Sequence, residues 1–228
     1  MPIRTVLFSM SVSPLADENL FAAAYWAVSP ERRQKTDRYR MPKDRQLSLG
    51  AELLLRYALQ GFGISEYHLE YNDLGKPFLR DSNISVSISH SGTYVLCAAA
   101  DRAVGCDIEQ IKPVDLKIAK RFFCPEEYAD IVSAPTPEAQ TALFYRYWTL
   151  KESFMKVTGL GMKLPFNSFR IVHEPQLAVL QSVDENRYGF AEYEGIPGYA
   201  CALCTVGECR EVPLQTVQLS EQLSELKE

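Results

Sequence analysis

Twice along this 228-residue chain the same order of signals recurs. Ser29-Pro30-Glu31 opens a helix, and a longer helix follows that carries Glu52-Leu-Leu-Leu-Arg56 and stops at Gly61-Phe-Gly63. Cys124-Pro125-Glu126 opens another, followed by a helix that carries Glu152-Ser-Phe-Met-Lys156 and stops at Gly159-Leu-Gly161. In each long helix an acid precedes a base by four residues, and strand-like segments follow. A small polar N-cap, proline at the first helical position and glycine past the end are start and stop signals. A repeat of this kind predicts an α+β fold of two similar, pseudo-symmetric lobes, with the active site in the cleft between them. We expect residues 1–104 to form the N-terminal lobe and 105–228 the C-terminal lobe. The length suits two lobes, since one domain takes roughly 100–200 residues.

The remaining elements follow from periodicity. Ile84, Val86 and Ile88 alternate with Ser85, Ser87 and Ser89, a period-two strand with one apolar and one small polar face. Strands at about 94–100 and 103–109 come next, and we expect the three to form an antiparallel meander. A strand is predicted at 3–9, a helix at 17–28, and short strands within 67–80. Helices are predicted over 114–133 with a restart at Cys124-Pro125, and over 138–158. Further strands are predicted near 168–173, 189–194 and 199–206. The tail from Leu214 reads as a short exposed helix.

Charge is unevenly placed. The chain totals −5, yet residues 32–45 hold Arg32, Arg33, Lys35, Arg38, Arg40, Lys43 and Arg45 against Asp37 and Asp44. Such a run is either a solvated helix face or an anion site in an otherwise acidic protein. The acidic total gives no expectation of nucleic-acid binding. No apolar run approaches the ~18–20 residues of a membrane span, and the N-terminus has no signal-peptide pattern. With six cysteines and no such pattern, we expect reduced thiols and a cytoplasmic protein. Cys201 and Cys204 form a C-x-x-C pair without the further ligands of a zinc site, so buried structural cysteines are expected.

Gly105-Cys-Asp-Ile-Glu109 places two carboxylates on one face of a strand. Paired carboxylates repel unless a cation neutralises them, and oxygen-only ligands favour Mg²⁺, although D-x-E alone also suits a structural or surface role. On the long helix, Leu143, Tyr147, Leu150, Phe154 and Val157 form a core stripe. Glu152 lies roughly 200° from its neighbours Leu150 and Phe154, on a different face shared with Trp148 and Lys156. It is either half of an ordinary surface pair with Lys156 or a third carboxylate for Asp107 and Glu109. His90, and the turn Gly75-Lys76-Pro77, are either plain turn residues or phosphate and nucleotide contacts.

In order, Gly75-Lys-Pro77, Asn83-Ile-Ser-Val-Ser-Ile-Ser-His-Ser91, Val104-Gly-Cys-Asp-Ile-Glu109, Arg121-Phe-Phe123 with Glu127, and Trp148-Thr-Leu-Lys-Glu-Ser-Phe-Met-Lys156 resemble the Sfp-type 4′-phosphopantetheinyl transferases over about residues 28–205. The resemblance implies transfer of 4′-phosphopantetheine from coenzyme A to a serine of an apo acyl or peptidyl carrier protein, releasing adenosine 3′,5′-bisphosphate. It implies Mg²⁺ on Asp107, Glu109 and Glu152, and diphosphate contacts from His90 and Lys156. The 3′-phosphate contacts fall on Arg32 and Lys35, with Arg45 and Ser89, and the adenine site falls near Gly75, Lys76 and Pro77. Glu152, or a water it orients, would take the serine proton, and Glu127 is a second candidate base. Residues 116–123 (Leu116, Lys117, Lys120, Phe122, Phe123) are our candidate carrier-docking patch, and two lobes in one chain lead us to expect a monomer. The alternative reading from the residues is a Mg²⁺-dependent phosphohydrolase acting on a CoA-like diphosphate.

Overall fold

The computed structural model describes residues 4–209 and 212–225. The first repeat runs β1 (Thr5–Ser11), α1 (Glu18–Ala27), α2 (Pro30–Asp37), α3 (Pro42–Gln60), β2 (Leu69–Tyr71), β3 (Pro77–Leu79), β4 (Ser85–Ser91) and β5 (Tyr94–Ala100). The second runs β6 (Val104–Gln110), α4 (Lys117–Phe122), α5 (Pro125–Ser133), α6 (Pro137–Thr158), β7 (Arg170–Val172), β8 (Ala178–Leu180), β9 (Tyr188–Tyr193) and β10 (Tyr199–Val206). Each is a strand, three helices, a short hairpin and an antiparallel strand pair. Each also builds its sheet in the same spatial order, β1-β5-β4 in one and β6-β10-β9 in the other. The fold is therefore α+β with two pseudo-symmetric lobes.

Local chemistry sets the helix ends. Proline occupies the first turn of α2, α3, α5 and α6, where its missing N–H and fixed φ cost nothing. Ser29 Oγ accepts from Arg32 N (3.2 Å) and Thr136 Oγ1 from Ala139 N (3.1 Å), capping α2 and α6. Gly159 closes α6 at φ +72°, a left-handed backbone that glycine adopts without steric cost.

The layers stack as α3, first sheet, second sheet, α6. Strand β5 shows why. Val95, Cys97 and Ala99 pack with the leucines of α3, while Leu96, Ala98 and Ala100 pack with Val104, Cys106 and Ile108 of β6 and with Cys201 and Leu203 of β10. A strand covered on both faces reads as an uninterrupted apolar run, as residues 95–100 and 199–204 do. On β10, Cys201 and Cys204 fall into different cores, on opposite faces of the sheet. A C-x-x-C pair on a strand cannot chelate one metal, which agrees with the structural reading.

Three expectations are corrected. The meander stops at two strands: β6 pairs with β10, because both edges of β5 are already taken by β1 and β4. The tail is not an exposed helix. β11 (Leu214–Thr216) adds to β1 in parallel, and α7 (Leu219–Glu225) buries Leu219 and Leu223 in the core under α3. The last residues assigned to the C-terminal lobe thus pack into the first lobe. The repeat register also shifts by one residue. Arg32, third residue of α2, pairs with Glu52 of α3 (3.1 Å), and Glu127, third residue of α5, pairs with Lys151 of α6 (2.8 Å). Glu52 therefore corresponds to Lys151, with the charges exchanged, and not to Glu152.

Candidate active site

The site forms where β4 of the first lobe meets β6 and α6 of the second. The two strands run side by side without a backbone ladder, and the serines of β4 take its place. Val104 N donates to Ser85 Oγ (3.3 Å), Cys106 N to Ser87 Oγ (3.0 Å) and Gln110 N to Ser91 Oγ (3.1 Å). This is what the alternating small polar face is for: hydroxyls satisfy the outer edge of β6 while joining the two lobes.

On the other face of β6, Gly105 lets α6 approach closely. A Cβ there would stand 2.1 Å from Ser153 O and 2.5 Å from Val157 N, both backbone atoms of α6. The approach brings Glu152 and Lys156 to the carboxylates of β6. Lys156 Nζ donates to Asp107 Oδ1 (2.7 Å) and to Cys106 O (3.1 Å). Ser89 Oγ donates to the same Asp107 oxygen (2.6 Å), and Ser91 Oγ donates to Glu109 Oε2 (2.7 Å).

The electrostatics follow from that crowding. Burial, then Asp107 and Glu109 against the relief of Lys156, push the Glu152 carboxyl up to about 7. Glu109 is raised by burial and by Asp107, against the hydrogen bond from Ser91. Lost hydration is the largest single effect on Lys156 and lowers its pKa, but Asp107, Cys106 and Glu152 together outweigh it and hold the pKa above the ordinary lysine value. His90 has an exposed side chain, and its pKa is lowered by desolvation and then by the charge of Lys156.

A cavity of about 270 Å³ opens beside this cluster, lined by Gly75, Lys76 and Pro77 from the first lobe and by Glu152, Met155 and Lys156 from α6. Lys76 Nζ donates to Val157 O (2.9 Å), so it ties the turn to the end of α6, and burial pushes its pKa down to about 8. A second cavity of about 770 Å³ is lined by Arg32 and Lys35 among others. Lys35 is exposed there, 5.8 Å from the centre of the Tyr71 ring, whereas Arg32 is buried against Glu52.

Arg45 and Glu127 reach neither the cluster nor either of these two cavities. Arg45 lies over the Phe21 ring (5.1 Å to its centre) and beside Asp37 (3.7 Å), because its place on α3 faces α1. Glu127 is closed off: it receives Lys151 Nζ (2.8 Å), Ile171 N (2.8 Å) and Cys124 N (2.9 Å), with its side chain 1% exposed. A base needs a free lone pair within reach of substrate, and in this arrangement both Glu127 oxygens are engaged inside the core. Lys151, fully buried, also donates to Phe166 O and Phe169 O. Trp148 packs against Phe166 and Phe144 (ring centres 4.9 and 5.7 Å apart), which explains a tryptophan on the Glu152 face. Ser91, Gly105 and Lys151 were not singled out from sequence. The serine alternation and the G-x-D-x-E spacing carried the signal for the first two.

Among the described residues, no three His, Cys, Asp or Glu side chains stand close enough to hold a metal ion as arranged. The donors nevertheless fit a hard divalent cation. They are all oxygens, Asp107 Oδ2 is buried without a hydrogen-bond partner, and Glu152 forms no ion pair among the described residues.

Two internally related lobes thus meet at an acidic, lysine-flanked cleft. Comparison with known proteins gives the family. Residues 13–102 match the family described as "4'-phosphopantetheinyl transferase, N-terminal", and residues 103–204 match the 4'-phosphopantetheinyl transferase superfamily. The 4'-phosphopantetheinyl transferase Sfp of Bacillus subtilis is 36% identical over 187 residues, 78% of this chain and 81% of that protein. The gsp transferase of Aneurinibacillus migulanus is 37% identical over 194 residues, 83% and 81% of the two chains. A further 4'-phosphopantetheinyl transferase of Bacillus subtilis is 41% identical over 178 residues, 75% and 76% of the two. This chain belongs to the Sfp-type 4'-phosphopantetheinyl transferases.

Proposed function

We propose that the chain transfers the 4′-phosphopantetheine group of coenzyme A to the hydroxyl of a serine on an apo acyl or peptidyl carrier protein, with Mg²⁺, releasing adenosine 3′,5′-bisphosphate. The observation that carries this reading is the meeting of Asp107, Glu109, Glu152 and Lys156 beside a cavity shared by both lobes. The serine oxygen forms a bond to the β-phosphorus as the bond to the departing phosphate ester breaks. Asp107, Glu109 and Glu152 would hold Mg²⁺, which when bound would supply neutralisation of the diphosphate charge.

The chain's own residues do the rest. Lys156, kept cationic by Asp107, and the exposed His90 donate toward the diphosphate. Lys35 and the outer edge of Arg32 receive the 3′-phosphate, and Gly75, Lys76 and Pro77 border the adenine. Glu152 accepts the serine proton, directly or through a water it orients, the role that a carboxylate within reach of the attacking hydroxyl can fill. The carrier docks by the exposed side of α4. There Phe122 is 44% exposed beside Lys117 and Lys120, while Phe123 belongs to the aromatic core.

The working division remains residues 1–104 for nucleotide contacts and 105–228 for the carboxylates, with the tail returning to the first lobe. The proposed enzyme acts as a monomer in the cytoplasm. No helix among the described residues is long and apolar enough to cross a membrane, and five of the six cysteines are buried. The test is incubation of apo carriers with coenzyme A and Mg²⁺, read by mass spectrometry. A gain of one phosphopantetheine group on the carrier, lost in Asp107→Asn, supports the reading. Release of phosphopantetheine with no carrier present would overturn it in favour of a phosphohydrolase.

A further inference from the structure

Ser91 is unusual among the serines of β4 because both its hydrogen-bonding roles are committed across the lobe junction. Its Oγ accepts from Gln110 N (3.1 Å), so its own proton is directed elsewhere, and that proton goes to Glu109 Oε2 (2.7 Å). An alcohol that accepts from a fixed backbone N–H has its lone pair oriented by that bond and donates in a defined direction. The backbone donor belongs to the residue next to Glu109, so strand and carboxylate are gripped together.

The turn that carries Ser91 is itself held to the second lobe. Thr93 N donates to Tyr199 Oη (3.0 Å). Gly92 has φ +58°, and a Cβ there would stand 2.1 Å from the same Tyr199 oxygen. The end of β4 is therefore pinned against β10, which is antiparallel to β6 with Ala200 opposite Glu109.

We infer that Ser91 is a positioning residue that sets the Glu109 carboxylate for metal binding by holding its Oε2 in place. The inference rests on the proposed metal role of Glu109. Supporting groups that orient a ligating carboxylate typically change metal affinity by 10- to 100-fold when removed. Ser85 is the internal control. It makes the same kind of bond to β6, with Val104 N (3.3 Å), at the far end of the strand from Glu109.

The experiment is titration of Mn²⁺ alone into wild type, Ser91→Ala, Ser91→Thr and Ser85→Ala, with free Mn²⁺ read by electron paramagnetic resonance and thermal unfolding measured in parallel. We expect Ser91→Ala to weaken Mn²⁺ binding about tenfold. Ser85→Ala should lower the melting temperature comparably while leaving Mn²⁺ affinity within about twofold of wild type, and Ser91→Thr should restore binding because it restores the hydroxyl. A metal-free crystal structure of Ser91→Ala should show the Glu109 carboxylate displaced. Equal affinity in wild type and Ser91→Ala, or an undisplaced Glu109, would overturn the positioning role alone. Failure of the wild type to bind Mn²⁺ would overturn the metal reading and the inference with it.

Discussion

Gly105→Ala tests how the site is assembled. The added methyl would stand 2.1 Å from Ser153 O and 2.5 Å from Val157 N. Ordinary contact begins near 3.4 Å, so α6 must withdraw from β6 by about 1.3 Å, and no side-chain rotation relieves a clash with helix backbone. A withdrawal of that size would stretch the 2.7 Å bond from Lys156 Nζ to Asp107 beyond hydrogen-bond range and carry Glu152 away with it. We expect a stability loss of about 1–3 kcal/mol, the usual cost of overpacking. The catalytic loss should be larger, about 100-fold in kcat/KM, because a 1 Å misplacement of catalytic groups costs that much. Urea unfolding gives the first quantity, and the rate of carrier modification under conditions where the variant is fully folded gives the second. A folded Gly105→Ala enzyme with kcat/KM within threefold of wild type would refute the reasoning.

Glu152→Gln should lower kcat by orders of magnitude while the protein stays folded. In metal-free protein it should also remove a pH dependence: the raised pKa means the folded state holds a proton that the unfolded chain has lost, so stability falls as pH rises from 4.5 through about 7. The ionised carboxylate costs at most about 3 kcal/mol, so metal-free Glu152→Gln should exceed wild type in urea resistance at pH 8 and match it near pH 4.5. Lys35→Ala should raise KM for coenzyme A about tenfold, the worth of one charge-assisted contact, and leave KM for 3′-dephospho-CoA unchanged. Arg32→Ala should also destabilise the fold, because Glu52 is left buried without its partner. Glu127→Gln should cost about 3–5 kcal/mol in urea unfolding by stranding Lys151, with kcat of the folded fraction near normal. A large kcat loss in folded Glu127→Gln would restore it as a base.

Much of the site could be read in the chain because its signals are local. The D-x-E spacing fixes two carboxylates to one face of a strand whatever that strand packs against, and a four-residue step fixes Glu152 and Lys156 to one face of a helix. Helix ends were legible for the same reason, since proline, serine and glycine act within one turn of their own position. Arg45 and Glu127 could not be sorted that way. Both are charged residues beside motif positions, and only the neighbours that arrive from distant segments, Phe21 and Asp37 for one, Lys151 and Ile171 for the other, show that they turn away from the cleft.

The sequence by itself determined the repeat, the periodicities and the set of chemical groups, because these depend on residue type and spacing. Tertiary structure decided the pairing of β6 with β10, the return of the tail to β1, and the register in which Glu52 answers to Lys151. Those outcomes rest on which strand edges remain open and how closely two backbones can approach. The approach that builds the site is at Gly105, where the lack of a side chain lets α6 lie against β6 and brings Glu152 to Asp107 and Glu109.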